Sequence, residues 1–182
     1  MTILNELHQD HINLNKMLKI LRLKVKKLRA GDHPNFNLMA DVIDYISTYA
    51  DGYHHPREDS IYRHFQGRSQ ELDQQLQNCE AAHQSMKTTC HELADLIDGI
   101  LHDAVVPMDE FTDKLEAFLD EQVEHLNMEE GAIFPQLQGV ANDQDWVQLI
   151  DELPSSDDPL FGEKQAAKYS ELYRELIVDM QE

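Results

Sequence analysis

Apolar residues recur along this chain at alternating steps of three and four, the spacing that lines up one face of an α-helix. The first stripe runs Leu4, Leu7, His11, Leu14, Leu18, Leu21, Val25, Leu28 and predicts an amphipathic helix, stopped by Gly31-Asp32-His33-Pro34. A second begins near Phe36 and carries Met39, Ile43, Ile46, Ala50, His54, Glu58, Ile61 and Phe65, after which Gly67 and Ser69 read as a stop and an N-cap. Leu72, Leu76, Cys79, His83, Met86, Cys90, Leu93, Ile97 and Ile100 form the third. Pro107 suits the first turn of a fourth helix, which bears Phe111, Leu115, Phe118, Gln122, His125, Glu129 and Ala132. No strand-type alternation competes. The expected fold is all-α: an antiparallel, up-down four-helix bundle over residues 1–140.

The pattern weakens after Gly139. Asn142 is placed to cap a short helix reaching Leu153, and Pro154-Ser155-Ser156-Asp157-Asp158-Pro159 is a break. A last amphipathic helix, from about Glu163 to Met180, puts Tyr169, Leu172, Tyr173, Leu176, Ile177 and Met180 on one side. Residues 141–182 are therefore expected to add two C-terminal helices to the same domain. The last would pack on the bundle, on a protein partner or on a second copy of the chain.

Six polar residues interrupt the apolar stripes: His11, His54, Glu58, His83, His125 and Glu129. A buried imidazole needs partners, and a buried unpaired carboxylate costs several kcal/mol, so six such groups in one core call for a common partner. A metal supplies one. The spacing also repeats: His54-x-x-x-Glu58 matches His125-x-x-x-Glu129, each pair one turn apart on one face. His11 lies 43 residues before His54, and His83 lies 42 before His125. The chain thus reads as two helical hairpins, each offering a lone His on its first helix and a His-x-x-x-Glu on its second.

Imidazole and carboxylate with no thiolate suit Fe, Mn or Zn, and six ligands exceed one tetrahedral zinc. Two octahedral irons offer about twelve positions, of which four imidazoles, two bridging carboxylates and an oxo or hydroxo bridge fill about ten. The remainder leaves room for a small diatomic molecule or a peroxide. His55-x-x-x-Asp59 is a second pair shifted by one residue, but the matching place in the other motif is Leu126, which cannot ligate. His55 is therefore an extra or outer ligand at most. Pro56 should kink its helix by freeing the Gly52 carbonyl. His8, His33, His64, His91 and His102 read as surface residues. Tyr45, Tyr49 and Tyr53 share a face, where packing is the default role and a hydroxyl near the metals the alternative.

Composition narrows this picture. With 182 residues and 41% apolar content the chain can bury a core. No apolar run is long enough to span a membrane. A net charge of −20 argues against nucleic acid and anionic membranes as partners. Seven of the fifteen Lys and Arg residues fall within positions 16–29, read as the solvated side of the first helix offsetting acidic neighbours. The opening Met1-Thr2-Ile3-Leu4-Asn5-Glu6 lacks the basic start and apolar stretch of a secretory signal, so a cytoplasmic location is expected. Cys79 and Cys90, three helical turns apart, cannot bridge each other and read as small core residues.

The arrangement resembles the hemerythrin-like HHE family of cation-binding domains, over roughly residues 1–140. The resemblance rests on His11, His83 and the two His-x-x-x-Glu motifs, with Ile133-Phe134-Pro135 and Asp157-Asp158-Pro159-Leu160-Phe161-Gly162 also similar. It implies a four-helix bundle with a non-haem di-iron centre, His11, His54, His83 and His125 as terminal ligands, and Glu58 and Glu129 as bridges. It further implies binding or sensing of O2 or NO, response to redox state, or repair of iron–sulfur clusters. Oxygen-carrying members use a His-x-x-x-His pair on the third helix, whereas Lys87 follows His83 here, which argues against reversible O2 carriage. Two other readings compete. A ferritin-like oxidase would use Glu80-x-x-His83. A helical interaction module would use metal only for stability or signalling.

Overall fold

A computed structural model describes residues 3–162 and 167–179, the last three by backbone alone. Of the expected final helix, residues 163–166 and Met180 lie outside the described residues, as does the side chain of Ile177. The elements are α1 (Ile3–Arg29), α2 (Phe36–Tyr45), a π-helical segment (Ile46–His54), α3 (His55–Phe65), α4 (Gln70–Leu101), α5 (Met108–Met128), a second π-helical segment (Glu129–Ile133), α6 (Phe134–Val140), α7 (Asp143–Glu152), a 3-10 turn (Ala167–Tyr169) and α8 (Ser170–Asp179). The described residues are all helix and connection, with no strand. The all-α expectation holds.

Local chemistry sets the helix limits. Gly31 (φ 79°) ends α1 and Gly67 (φ 83°) follows α3, both in the left-handed region that glycine enters without a Cβ clash. Asn35 and Ser69 accept the backbone N–H groups of Leu38 and Leu72 as N-caps of α2 and α4. Asn142 and Asp145 form a reciprocal capping box on α7. Pro107 sits one residue earlier than expected, as the N-cap of α5 rather than inside its first turn.

Pro56 produces a π-helical stretch rather than an open kink. The turn before it widens over Ile46–His54, and Pro56 falls in the first turn of the helix that resumes at His55. Pro135 repeats the arrangement, following the π segment Glu129–Ile133. The wider turn relieves the clash of the proline ring with the carbonyl four residues back and removes the need for its missing N–H. Each widened turn abuts a His-x-x-x-Glu motif.

Among the described residues, the helical rods α1, α2–α3, α4 and α5–α6 contribute most of the buried interior. α1 packs on α2 and α5, and α4 also packs on α2 and α5. The apolar filling divides in two. Leu14, Met17, Leu21, Ile43, Leu93 and Phe118 belong to one buried cluster, and Leu7, Ile61, Phe65, Leu72, Leu76 and Leu137 to the other. His11, His54 and His83 fall between the residues given to the two clusters, and His125 falls at the same changeover, with Leu126 of the first cluster just past it. The core is a polar layer between two apolar ones. On the outside, Arg22 and Arg29 of α1 pair with Asp120, Asp113 and Glu116 of α5, as the charge pattern predicted. Of the histidines read as surface residues, His64 is the exception: it is half-buried and bonded to Asp145 at 3.0 Å.

The tail closes over this frame. Trp146 of α7 packs on Phe65, and α8 packs on α2 with Tyr169, Leu172 and Leu176 buried in the first cluster. Between them, Asp158 accepts the backbone N–H groups of Leu160 and Phe161 and is bonded to Asn13 and Tyr45. Gly162 is required there: a Cβ would lie 2.2 Å from Asp157 Oδ1 and 2.4 Å from the Asp158 carbonyl.

Candidate metal centre

The structure brings all six stripe-interrupting residues together, each at most 4% exposed. Glu58 Oε1 lies 3.3 Å from His11 Nε2 and 3.4 Å from His54 Nε2, and its Oε2 lies 3.6 Å from His83 Nε2. Glu129 reaches His11 at 3.4 Å, His83 at 3.5 Å and His125 at 3.2 Å. Each carboxylate therefore touches histidines from both hairpins, the placement that bridging two metals requires. The widened π turns sit beside both carboxylates and set their register toward this layer.

Behind the imidazoles stands a set of carboxylates that the stripes did not reveal. His54 Nδ1 donates to Asp10 at 3.0 Å, His11 Nδ1 to Glu130 at 2.7 Å, His83 Nδ1 to Asp59 at 2.6 Å and His55 Nδ1 to Asp51 at 3.1 Å. A carboxylate on Nδ1 fixes the tautomer and aims the Nε2 lone pair inward, the usual backing of a metal-binding histidine. A signal for two of these was available. Asp59 and Glu130 each follow the motif glutamate by one residue, and each backs the lone histidine of the other hairpin. Asp10 precedes His11 in the same way that Ala82 precedes His83, so His125 lacks the carboxylate that His54 has.

His55 also enters the cluster. Its ring stacks on His83 with centroids 4.3 Å apart, and donor atoms of His55, Glu58, His83 and His125 lie within 4.8 Å of one another. A second such group is Cys79, His83, His125 and Glu129, and a third is His11, His54 and Glu58. Cys79 was read as core filling; it is buried, but against this site. Tyr62, unremarked in the sequence, donates to Glu129 Oε1 at 2.5 Å. Of the three tyrosines on one face, Tyr49 comes nearest, donating to Asp10 at 3.0 Å behind His54. Glu80, on which the ferritin-like reading depends, turns outward to Arg63.

The electrostatics set the histidines apart from one another. Burial lowers the His54 pKa to about 4 and the His55 pKa to about 3, so both stay neutral and able to ligate. Burial also opposes charge on His11, but hydrogen bonds to Glu130 and Glu58 outweigh it and raise its pKa to about 10. His83 is raised too, as the hydrogen bond to Asp59 outweighs its burial. Burial works against the charge of Glu129, yet its electrostatic contact with His125 holds the carboxyl well below the usual range. His54 Nε2, His55 Nε2, Glu58 Oε2 and Glu129 Oε2 are buried with no hydrogen-bond partner. Unsatisfied lone pairs and charge converging on one spot are what two cations would satisfy.

Comparison with known proteins agrees with the geometry. The family model of the hemerythrin HHE cation-binding domain matches residues 2–137. A search of curated proteins found no match.

Proposed function

We propose that this chain, which belongs to the hemerythrin HHE cation-binding family, holds two irons between its hairpins and uses them to bind or react with O2, NO or a peroxide. The observation that carries the reading is the convergence of inward-facing Nε2 atoms, three of them on imidazoles whose Nδ1 is backed by a carboxylate, on two buried glutamates that each reach both hairpins. In this reading His11 and His54 hold one metal, His83 and His125 the other, and Glu58 and Glu129 join them. His55 adds a ligand or an outer contact on the His83 side. The scaffold is an up-down four-helix bundle, supported by the closed ring of contacts among α1, α2, α4 and α5.

Bound iron would supply a redox-active centre with positions for a small exogenous molecule. The protein's own part is to hold, orient and shield. Asp10, Glu130 and Asp59 keep the imidazoles in one tautomer. The two apolar clusters exclude water from above and below. Tyr62 keeps a hydroxyl proton on Glu129 Oε1. A cavity of about 50 Å³ lined by Asp51, His55, Pro56, Asp59, His83 and Lys87 reaches the layer from outside. It is large enough to admit a water or a diatomic molecule. Lys87, in place of a further ligand, stands at this opening, which directs the reading toward sensing, scavenging or repair rather than oxygen transport. A cytoplasmic location belongs to the same reading, and two buried free cysteines support it.

The test is anaerobic Fe(II) loading of the full chain, metal analysis, and absorption before and after air is admitted. About two irons per chain and near-ultraviolet bands that appear with air are expected. His54→Ala and His125→Ala should each lose metal, and Glu80→Ala should not. Protein that stays iron-free and colourless overturns the reading, and metal loss in Glu80→Ala alone would favour the ferritin-like arrangement.

A further inference from the structure

The dinuclear reading leaves one buried nucleophile beside the cluster without a role. Cys79 lies one turn before His83 on α4, on the same face. Its Sγ is 3.1 Å from Glu129 Oε1, 3.9 Å from His83 Nε2 and 4.0 Å from His125 Nδ1. A thiol in a core is ordinarily filling. Its neighbours here are not: Glu129 Oε2 is buried without a hydrogen-bond partner, and the Nε2 atoms of His83 and His125 face each other at 3.0 Å. The matching place one turn before His11 is Leu7, buried and apolar. The two halves of the site therefore differ in kind at this position.

We propose that Cys79 supplies a thiolate ligand to the metal held by His83 and His125. The inference rests on the dinuclear reading and deepens it. The two metal positions are then unlike: nitrogen and oxygen donors at His11 and His54, with sulfur added at His83 and His125. The balance is simple. A sulfur lone pair forms the bond to the metal, the S–H bond breaks, its proton leaves to solvent, and no electron changes hands. The thiol donates to Glu129 Oε1, so the sulfur already lies beside a carboxylate that the same metal would share. A soft donor biases that position toward a thiophilic metal such as Zn or Co over Mn.

The experiment loads the full-length protein with Co(II) and reads absorption together with bound metal. Wild type is expected to bind metal at both positions and to show an intense near-ultraviolet band from thiolate-to-cobalt charge transfer. Cys79→Ser should keep the bound metal and lose the band. Cys90→Ser, whose thiol points at the Ile43 carbonyl, should keep both. Cys79→Ala serves as the second variant, with the same loss expected. Wild type that binds cobalt at both positions without the band, or Cys79→Ser that retains it, overturns the thiolate and leaves the dinuclear reading standing. Wild type that binds no metal at all overturns both.

Discussion

Metal removal should destabilise this protein by an amount the structure sets. Four atoms in the polar layer, His54 Nε2, His55 Nε2, Glu58 Oε2 and Glu129 Oε2, are buried with no hydrogen-bond partner. Each such atom costs about 1–3 kcal/mol, so the layer carries a penalty of at least roughly 4 kcal/mol in the protein alone. That is a large fraction of the ~5–15 kcal/mol stability of an ordinary domain. Ligation satisfies all four. At about 2 °C of Tm per kcal/mol for a chain of this size, metal should raise the melting temperature by at least roughly 8 °C. The assay is a thermal melt of chelator-stripped and Fe(II)- or Zn(II)-loaded protein. The sharper control is Glu58→Met, which fills the same space without charge. Glu58 is one of the carboxylates that raise the pKa of His11, and removing one partner of a buried charged pair is destabilising, so stripped Glu58→Met should melt below the stripped wild type. Its metal-dependent increment should largely vanish, because Glu58 touches His11, His54 and His83. Equal melting of stripped and loaded wild type would refute the assignment of the layer to metal. A full increment in Glu58→Met would refute the bridging role of that carboxylate.

Asp59→Asn should weaken metal affinity about 10–100-fold while leaving the fold intact, because it removes the carboxylate that orients His83; competition with a chromophoric chelator measures it. Gly162→Ala should loosen the segment around residue 162 and lower the melting temperature, since its Cβ would lie 2.2 Å from Asp157 Oδ1; unchanged Tm would show that the segment shifts freely. Asp145 gives a pH signature. Hydrogen bonds from Arg68 first, then from the Asn142 backbone and His64, hold its carboxyl well below the usual carboxylate range. A depressed folded pKa means stability that is complete above the unfolded value of about 3.9 and lost as pH falls below it. Fluorescence of Trp146, the chain's one tryptophan, should report loosening of α7 below about pH 4, and Asp145→Asn should flatten that dependence.

Which parts of this were legible in the sequence follows from which interactions have a period. The stripes gave the helices because burial repeats every three to four residues, and they exposed His11, His54, His83 and His125 as polar groups in apolar places. The motif repeat gave Glu58 and Glu129. Asp10, Asp51, Asp59 and Glu130 were not visible this way. Each sits beside the stripe rather than on it and reaches an imidazole on a neighbouring rod or one turn away, so its role depends on how the helices are rotated against one another. The π turns were hidden for a related reason: Pro56 signalled a disturbance, but a kink and a widened turn fit the same residues. His55 shows the consequence. Counted on an ideal helix it points away from His54's target. The helix re-forms at His55 after the widened turn, and the ring meets His83 instead.

The approximate two-fold repeat explains the site less well than its exceptions do. Where the halves agree, at the His-x-x-x-Glu motifs and at Asp59 and Glu130, they build a symmetric cage. Among the places where they part are three beside the histidines: Asp10 against Ala82, Leu7 against Cys79, and His55 against Leu126. All three differences act in one direction. The His54 side gains a carboxylate behind its imidazole and an apolar neighbour. The His125 side loses that carboxylate and gains a thiol, while His55 adds an imidazole to the same side through His83. A carboxylate behind an imidazole increases its basicity, whereas a thiolate among the donors favours a more thiophilic metal, so the two positions present different donor sets. Two metals in such a cage should differ in affinity, and stepwise loading should fill the two positions at different concentrations. A single, equivalent pair of sites in a metal titration would mean that these exceptions serve packing alone.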